Sequence, residues 1–476
     1  MEQIYVKEIA NMNEDFPQWY TDIVLKTEMV DYGPVKGTMV IRPYGYAVWE
    51  LIRNELDIRF KAKGVKNAYF PLFIPYSFLM KEAEHVEGFA PEVAMVTHIG
   101  DNPLPEKLVV RPTSETIICE MYSKWIKSYR DLPVLINQWA NVVRWEKTTR
   151  PFLRTSEFLW QEGHTAHRTE EEAEADAIKM LEVYREFAEN VLAIPVITGQ
   201  KTEKEKFAGA KSTYTIEAMM LDGKSLQAGT THNLSDHFAV PFNIQFLDSD
   251  NKLKYVHQSS WGVSTRLIGA VIMAHGDHRG LALPPKVAPV QVIIVPIAAH
   301  KGGVIEKAEE ILMSLRAKGI RAEMDTSDNS TGWKFNEWEM KGVPIRIEIG
   351  PRDVKSNTVI LARRDSFDKQ TAEISGIENT ISALLDQIQG NMLVKARAFR
   401  DQHIIDCFNM DELEEAVKGG NFVRAMWCGS PECEQTVKEK TAASSRAMPF
   451  EQTPIGKTCI CCGKKAKKLI YFARAY

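Results

Sequence analysis

Apolar positions recur at helical spacing through residues 45–63, "GYAVWELIRNELDIRFKAK", and the run then meets Gly64, which predicts an amphipathic helix and its stop. "VKNAYFPLFIP" follows as a β-rich run interrupted by Pro71 and Pro75. "KLVVRPTSETIICEMYSKWI" predicts a strand, a turn at Arg111–Ser114 and a helix capped by Thr113 or Ser114. "PVLINQWANVVRWE" and "FLRTSEFLWQEGHTAH" predict two strands around a turn-rich connection. "TEEEAEADAIKMLEVYREFAENVL" predicts a long amphipathic helix, and its acidic start suits the positive end of the helix dipole. "STYTIEAMM", "SLQAGTTHNL" and "FNIQFLDSDNKLKYVHQSS" predict further strands, and "GVSTRLIGAVIMAHG" a helix. Residues 15–283 therefore predict helices flanking antiparallel strands, an α+β pattern.

The Pro-rich "LPPKVAPVQV" reads as a linker, and the pattern changes after it. "VQVIIVPI", a helix around 304–318, "IRAEMDT", a helix around 332–341, "IRIEIG" and "TVILARR" alternate strand with helix. That alternation predicts a small α/β domain with a mostly parallel sheet. Three domains follow: residues 1–285, 286–398 and 399–476. A length of 476 residues agrees, at roughly 150 residues per domain.

Composition narrows the class. The chain is 44% hydrophobic and 26% charged, enough apolar residues for sizeable cores. No apolar run approaches the roughly 18 residues of a membrane span, and "MEQIYVKEIANMNEDF" lacks the features of a signal peptide, so a cytoplasmic location is expected. A net charge of -4 argues against a general nucleic-acid coat but allows a local basic patch, such as "CGKKAKK".

Five of the seven cysteines fall after residue 427. Cys428 and Cys433 form C-x4-C, and Cys459 and Cys462 form C-x2-C, with 25 residues between the pairs. Four thiolates so paired suit a tetrahedral structural zinc, with free thiols as the alternative. "CICC" also offers Cys461, but C-x-x-C-G is a common metal-binding turn and favours Cys462.

Between Val142 and His167 the chain threads Arg144, Glu146, Arg150, Arg154, Glu157, Glu162, His164 and His167 among Val, Phe, Leu and Trp. Charges in an apolar stretch are expensive to bury alone, so they need partners or anionic ligands. Arg150 and His167 carry no motif of their own.

The resemblance becomes specific here. "GVKNAYFPLF" (Gly64–Phe73) is similar to motif 1 of the class II aminoacyl-tRNA synthetases, "RWE" (Arg144–Glu146) to motif 2 and "GVSTR" (Gly262–Arg266) to motif 3. The three motifs would span about 57–75, 140–167 and 260–283. "RPTSE", "FLWQEGHTAH", "EKFAGA", "LQAGTTHNL" and the ending "IYFARAY" resemble the prolyl-tRNA synthetases of archaeal and eukaryotic type, over nearly the whole chain.

That resemblance implies a class II fold: a six-stranded antiparallel sheet flanked by helices, then an α/β anticodon-binding domain and a small α/β zinc-binding C-terminal domain. It implies activation of proline with ATP and transfer to the 3′ end of tRNA(Pro), with Mg²⁺ bridging phosphates, and a homodimer through motif 1. Arg144 would hold the α-phosphate and the amino-acid carboxylate, and Arg266 the γ-phosphate. Glu146, two residues after Arg144 on the same strand face, would lie near the adenine and the metal-bound phosphates. Arg154, Thr155, Gln227, Thr230 and Ser264 would line the ATP. Glu115 and Thr113 would accept from the proline ammonium, and Trp160, Phe207 and His164 would wall its ring. Glu162 and His232 would complete the proline site, and Glu339, Lys341, Arg346 and Arg352 would meet the tRNA. Glu146 and Arg266 stand 120 positions apart, which leaves no room for the large editing insertion of many bacterial relatives.

Three other readings fit less of the chain, and the first, a zinc-ribbon nucleic-acid binding module, explains only its last part. A threonine-specific enzyme of the same subclass conflicts with "RPTSE" and the lack of a metal triad in the catalytic part. A non-catalytic tRNA-binding paralogue would be expected to have lost Arg144, Arg266 or Glu115, and all three are present.

Overall fold

A computed structural model of the chain describes residues 9–82 and 93–476. The start of the N-terminal stretch read above for a signal peptide lies outside them.

The first domain is organised by one sheet. Among the described residues it has seven strands, in the order Lys66–Asn67, Val134–Val143, Glu157–His167, His257–Ser264, Ser225–Ser235, Ser212–Met219 and Val196–Gln200. Six pair antiparallel, as expected. The seventh, Lys66–Asn67, adds in parallel to Ile136 and Asn137, and two residues between Gly64 and the prolines leave too little pattern to read. The helix Glu170–Asn190 packs Ala177, Met180, Leu181, Tyr184 and Phe187 into the core behind the sheet. Thr169 caps it, accepting from the Glu172 backbone N–H at 3.3 Å. Pro43–Ala62 buries Val48, Trp49, Ile52, Leu56 and Phe60 in the same core.

Four expectations need correction. The helix read in "GVSTRLIGAVIMAHG" begins only at Arg266, because Gly262–Ser264 stay in the sheet opposite Glu162, Gln161 and Trp160. The strand Val134–Val143 stops before Arg144, so strand alternation does not relate Arg144 to Glu146. The Pro-rich "linker" is packed rather than loose: Val287 and Ala288 are fully buried around a short 3-10 helix, Pro285–Val287. The sheet of the second domain is mixed rather than mostly parallel. Ala322–Met324, Val292–Pro296 and Ile345–Ile349 run parallel, whereas Thr358–Arg363 and Lys369–Glu373 pair antiparallel. The chain turns back through the short helix Pro351–Ser356, too short for a crossover to a parallel strand, and a hairpin then adds Lys369–Glu373.

The helix Ile377–Gln402 covers the second sheet and runs on into the last domain. There Ile404–Asp406, Phe422–Trp427, Lys468–Ala473 and Ser444–Ala447 form a four-stranded sheet backed by the helices Met410–Lys418 and Pro431–Thr441. This domain docks on the edge of the first sheet. Gln200 and Met448 exchange two backbone hydrogen bonds of 2.8 Å. Gly199 permits that approach, since a Cβ there would lie 2.2 Å from the Met448 carbonyl oxygen.

Candidate active site

Register places the functional side chains in rows on one sheet face. Gln138, Glu162, Gly262, Thr230 and Thr215 form one cross-strand row, and Ile136, His164, Ser260, His232 and Thr213 the next. A cleft of about 380 Å³ opens over them. Every first-domain residue assigned to a substrate from the sequence lines it. Thr113, Glu115, Trp160, Glu162, His164, Phe207 and His232 stand there with Arg144, Glu146, Arg154, Thr155, Gln227, Thr230, Ser264 and Arg266. Gly163 is required in the floor, because a Cβ there would come within 2.2 Å of the Trp261 ring.

The Arg111–Ser114 turn serves the site more than the helix after it. Ser114 does stand at the N-cap of Glu115–Trp125, but its side chain makes no capping bond. Its hydroxyl donates instead to Glu162 Oε1 at 2.5 Å, and its backbone N–H to Oε2 at 3.2 Å. The Thr113 hydroxyl donates to Glu115. Neither hydroxyl caps the helix, because both are committed to buried carboxylates, which cost more to leave unpaired than backbone N–H groups.

Glu162 is the hub. Besides Ser114 it accepts from Gln138 Nε2 at 2.9 Å and meets His164 Nε2 at 3.1 Å. Burial alone would raise its carboxyl, but the hydrogen bond and charge of His164, then Ser114 and Gln138, hold it below the usual range. His164 responds in the opposite sense. Burial opposes its charge, yet the bond to Glu162 and the nearby Glu115 raise its pKa. His232 has no such carboxylate. Burial, helped by the charge of His164, pushes it down to about 3. Its Nδ1 lies 2.9 Å from Thr213 Oγ1, and its ring lies 4.9 Å from that of Phe207.

Arg144 is clamped by geometry. Its Nε donates to the Pro112 carbonyl at 2.9 Å, and its guanidinium sits 5.6 Å from the Phe158 ring and 5.2 Å from that of Trp160. Burial lowers its pKa, and Glu115, Glu162 and Glu146 offset part of that. Arg266 donates to the Leu153 carbonyl at 3.3 Å and the Gln227 carbonyl at 3.4 Å. Burial, then Arg154 and Arg144, lower its pKa. Mutually repelling guanidiniums in one cleft make a strong site for a polyanion. Arg154 is exposed and reaches Glu146 at 3.4 Å, a pair that solvent screens.

The cysteines converge as well. The Sγ atoms of Cys428, Cys433, Cys459 and Cys462 all lie within 4.8 Å of one another. Cys428 lies 3.6 Å from Cys433 and 3.9 Å from Cys462. Tetrahedral zinc with bonds of about 2.3 Å needs sulfurs about 3.8 Å apart, so the residues fit the metal. The left-handed Gly463, φ 69°, turns the chain after the second pair. Cys461 is outside the group and packs against the domain core.

The four residues assigned to tRNA do not gather. Glu339 and Arg346 line a cleft of about 250 Å³ with Arg279, Phe335, Phe367 and Lys369. Arg346 stacks 4.1 Å from the Phe335 ring, and Arg279 stacks 4.3 Å from Phe367. Lys341 pairs instead with Glu337 at 2.9 Å and Glu28 at 3.4 Å. Arg352 is exposed on Pro351–Ser356, beyond the far end of the strand that carries Arg346.

Sequence reasoning missed Ser114, Gln138, Phe158 and Thr213, which hold Glu162, Arg144 and His232. Each faces its partner across strands or through a turn. Only Phe158 carried a signal in the chain, its alternation with Trp160.

Residues 98–275 match the family described as tRNA synthetase class II core domain (G, H, P, S and T). Residues 291–384 match the family described as anticodon binding domain, and residues 410–476 that described as prolyl-tRNA synthetase, C-terminal. The chain is 60% identical over 478 residues to a proline–tRNA ligase of Alkaliphilus oremlandii, covering 100% of this chain and 99% of that protein. It is 59% identical over 473 residues to a proline–tRNA ligase of Clostridium novyi, covering 99% of each. Among solved structures it resembles prolyl-tRNA synthetase from Cryptosporidium parvum complexed with halofuginone and AMPPNP. The TM-score is 0.94 and the identity 41%, over 98% of this chain and 99% of that one.

Proposed function

The chain belongs to the prolyl-tRNA synthetase family of class II aminoacyl-tRNA synthetases, and we propose that the cleft on its first sheet is where it activates L-proline before transfer to tRNA. The activity is that of a proline–tRNA ligase. In the first step a proline carboxylate oxygen attacks the α-phosphorus of ATP. A new P–O bond forms, the bond to the β-phosphate oxygen breaks, and pyrophosphate leaves. In the second step a ribose hydroxyl of the tRNA 3′ end attacks the acyl carbon, and AMP leaves.

A carboxylate needs no general base, so the site has to position anions and meet growing charge. Arg144 faces the α-phosphate and the carboxylate, while Arg266 faces the γ-phosphate. Arg154, Thr155, Gln227, Thr230 and Ser264 contact the nucleotide, and Glu146 would face the Mg²⁺ that would offset the charge of its phosphates. The secondary ammonium of proline donates to Glu115 and Thr113. Trp160, Phe207, His164 and neutral His232 enclose the ring, and Glu162 holds His164 in place. The observation that carries this reading is the convergence of both guanidiniums with Glu115 on one 380 Å³ cleft. Arg144→Ala should lose proline-dependent pyrophosphate exchange while keeping its fold, at a cost of about 3–4 kcal/mol or more in the transition state. Exchange within about tenfold of wild type would remove Arg144 from the role.

Zinc, held by Cys428, Cys433, Cys459 and Cys462, would be structural, because four protein ligands leave no open position. The Glu339 and Arg346 cleft offers guanidiniums and aromatic rings to unstacked anticodon bases. Near motif 1, the exposed Ile58, Tyr69 and Phe73 suit a second copy of the chain, which supports a homodimer. Among the described residues no helix is long and apolar enough to cross a membrane.

A further inference from the structure

A buried ion cluster joins the C-terminal domain to the nucleotide end of the cleft. Glu217 lies on Ser212–Met219, in line with Thr213 and Thr215 on the cleft face. Its carboxylate is saturated from four directions. It accepts from Lys201 Nζ at 2.7 Å, Thr215 Oγ1 at 2.8 Å and Ser225 Oγ at 2.7 Å. The fourth donor is Arg446, with Nε at 3.1 Å and Nη2 at 2.9 Å. Glu217 and Lys201 belong to the first domain. Arg446 arrives on Ser444–Ala447, the strand that leads into the backbone pairing of Met448 with Gln200.

The cluster sits at an irregularity of the sheet. Ile216 pairs with Gly229 but Glu217 pairs with Gln227, so Ala228 is an extra residue in a bulge. Bulges re-aim the groups beside them, and here the re-aimed group includes the Gln227 carbonyl that accepts from Arg266. Glu217 ties both sides of the bulge, through Thr215 on its own strand and Ser225 on the next. The charges of Glu217 and Arg446 also act on Arg266. A buried ion pair is a weak way to gain stability, because desolvation cancels most of the attraction. Its value here is to fix one geometry at the bulge.

We propose that Arg446 is a positioning residue for ATP binding: through Glu217 it holds the bulge at Gln227, and so sets the Gln227 carbonyl against which Arg266 is aimed. The inference rests on the assignment of Arg266 to the nucleotide.

The test uses the full chain and steady-state pyrophosphate exchange. Arg446→Met should raise the KM for ATP about tenfold and leave the KM for proline within about twofold. Because that variant leaves Glu217 buried beside fewer donors, Arg446→Met/Glu217→Gln is made alongside it and should show the same split. Arg446→Lys, which keeps the charge and one contact, should restore part of the ATP affinity. Folded variants whose two KM values are both unchanged, or rise together, would overturn the proposal. A wild-type protein without proline-dependent exchange would instead overturn the reading of the cleft, and this inference with it.

Discussion

His164 and His232 flank Ser260 in one cross-strand row, each paired in register with it, and the site drives their protonation apart. Glu162 at 3.1 Å raises the pKa of His164 against its burial, and burial next to His164 pushes His232 down to about 3. The two signs matter for stability. His164, raised above its ordinary 6.5, contributes below that value, and the contribution is lost as pH rises through its folded pKa. His232, depressed from 6.5, contributes above that value, and the contribution is lost as pH falls from there toward about 3.

Acid should therefore act through His232, alongside the buried His275, which burial lowers to about 4, and His167, which burial also lowers. Between about pH 7 and pH 5 the unfolded chain takes up a proton that native His232 refuses, a loss of about 2 kcal/mol. Urea unfolding at the two pH values should show His232→Gln losing less stability than wild type by about that amount. Equal losses would mean that His232 titrates normally in the fold.

Elemental analysis of the purified protein should find one zinc per chain. Cys428→Ser should release it and unfold the C-terminal domain, since binding to such a site is worth about 10–16 kcal/mol. Cys461→Ser should retain the metal. Release from Cys461→Ser, with retention in Cys462→Ser, would show that the second pair was chosen wrongly.

Small competitors should enter the proline pocket. A cavity shaped for a five-membered ring cannot sterically exclude cysteine or alanine, and each missing methylene is worth only about 1–3 kcal/mol. Cysteine should be activated detectably and alanine more weakly. The 119 residues between Glu146 and Arg266 hold strands and a helix of the catalytic domain, so mischarged tRNA should persist in the presence of the protein. Enzyme-stimulated deacylation of alanyl-tRNA(Pro) that survives in Arg144→Ala would reveal a second hydrolytic site.

The local pattern carried the long elements and the motif residues, since helical or strand periodicity and the motif spacing are both written along the chain. It did not carry what depends on strand pairing. Lys66–Asn67 joins the sheet through only two residues, and the hairpin Thr358–Arg363 with Lys369–Glu373 turns a parallel sheet into a mixed one. The same holds in the site. Thr113 and Ser114 have the composition of a helix cap, but Glu115, two residues on, captures the first hydroxyl and Glu162, brought in by tertiary structure, the second. Gln138 reads as one of three polar residues in its strand, with Asn137 and Asn141, until register puts it opposite Glu162. Lys341 and Arg352 lie outside the cleft of Arg346, because nearness in sequence does not decide which side chains share a surface. Arg446 lies 229 residues from its partner Glu217, beyond any local signal.

On this assignment the first cleft selects and activates proline. Amino-acid-dependent ATP–pyrophosphate exchange, run with each of the twenty amino acids on the purified protein, tests it most directly. Proline should give the highest kcat/KM, cysteine and alanine weaker exchange, and the larger amino acids none above background. Exchange led by another amino acid, or none with proline, would remove proline activation from the cleft.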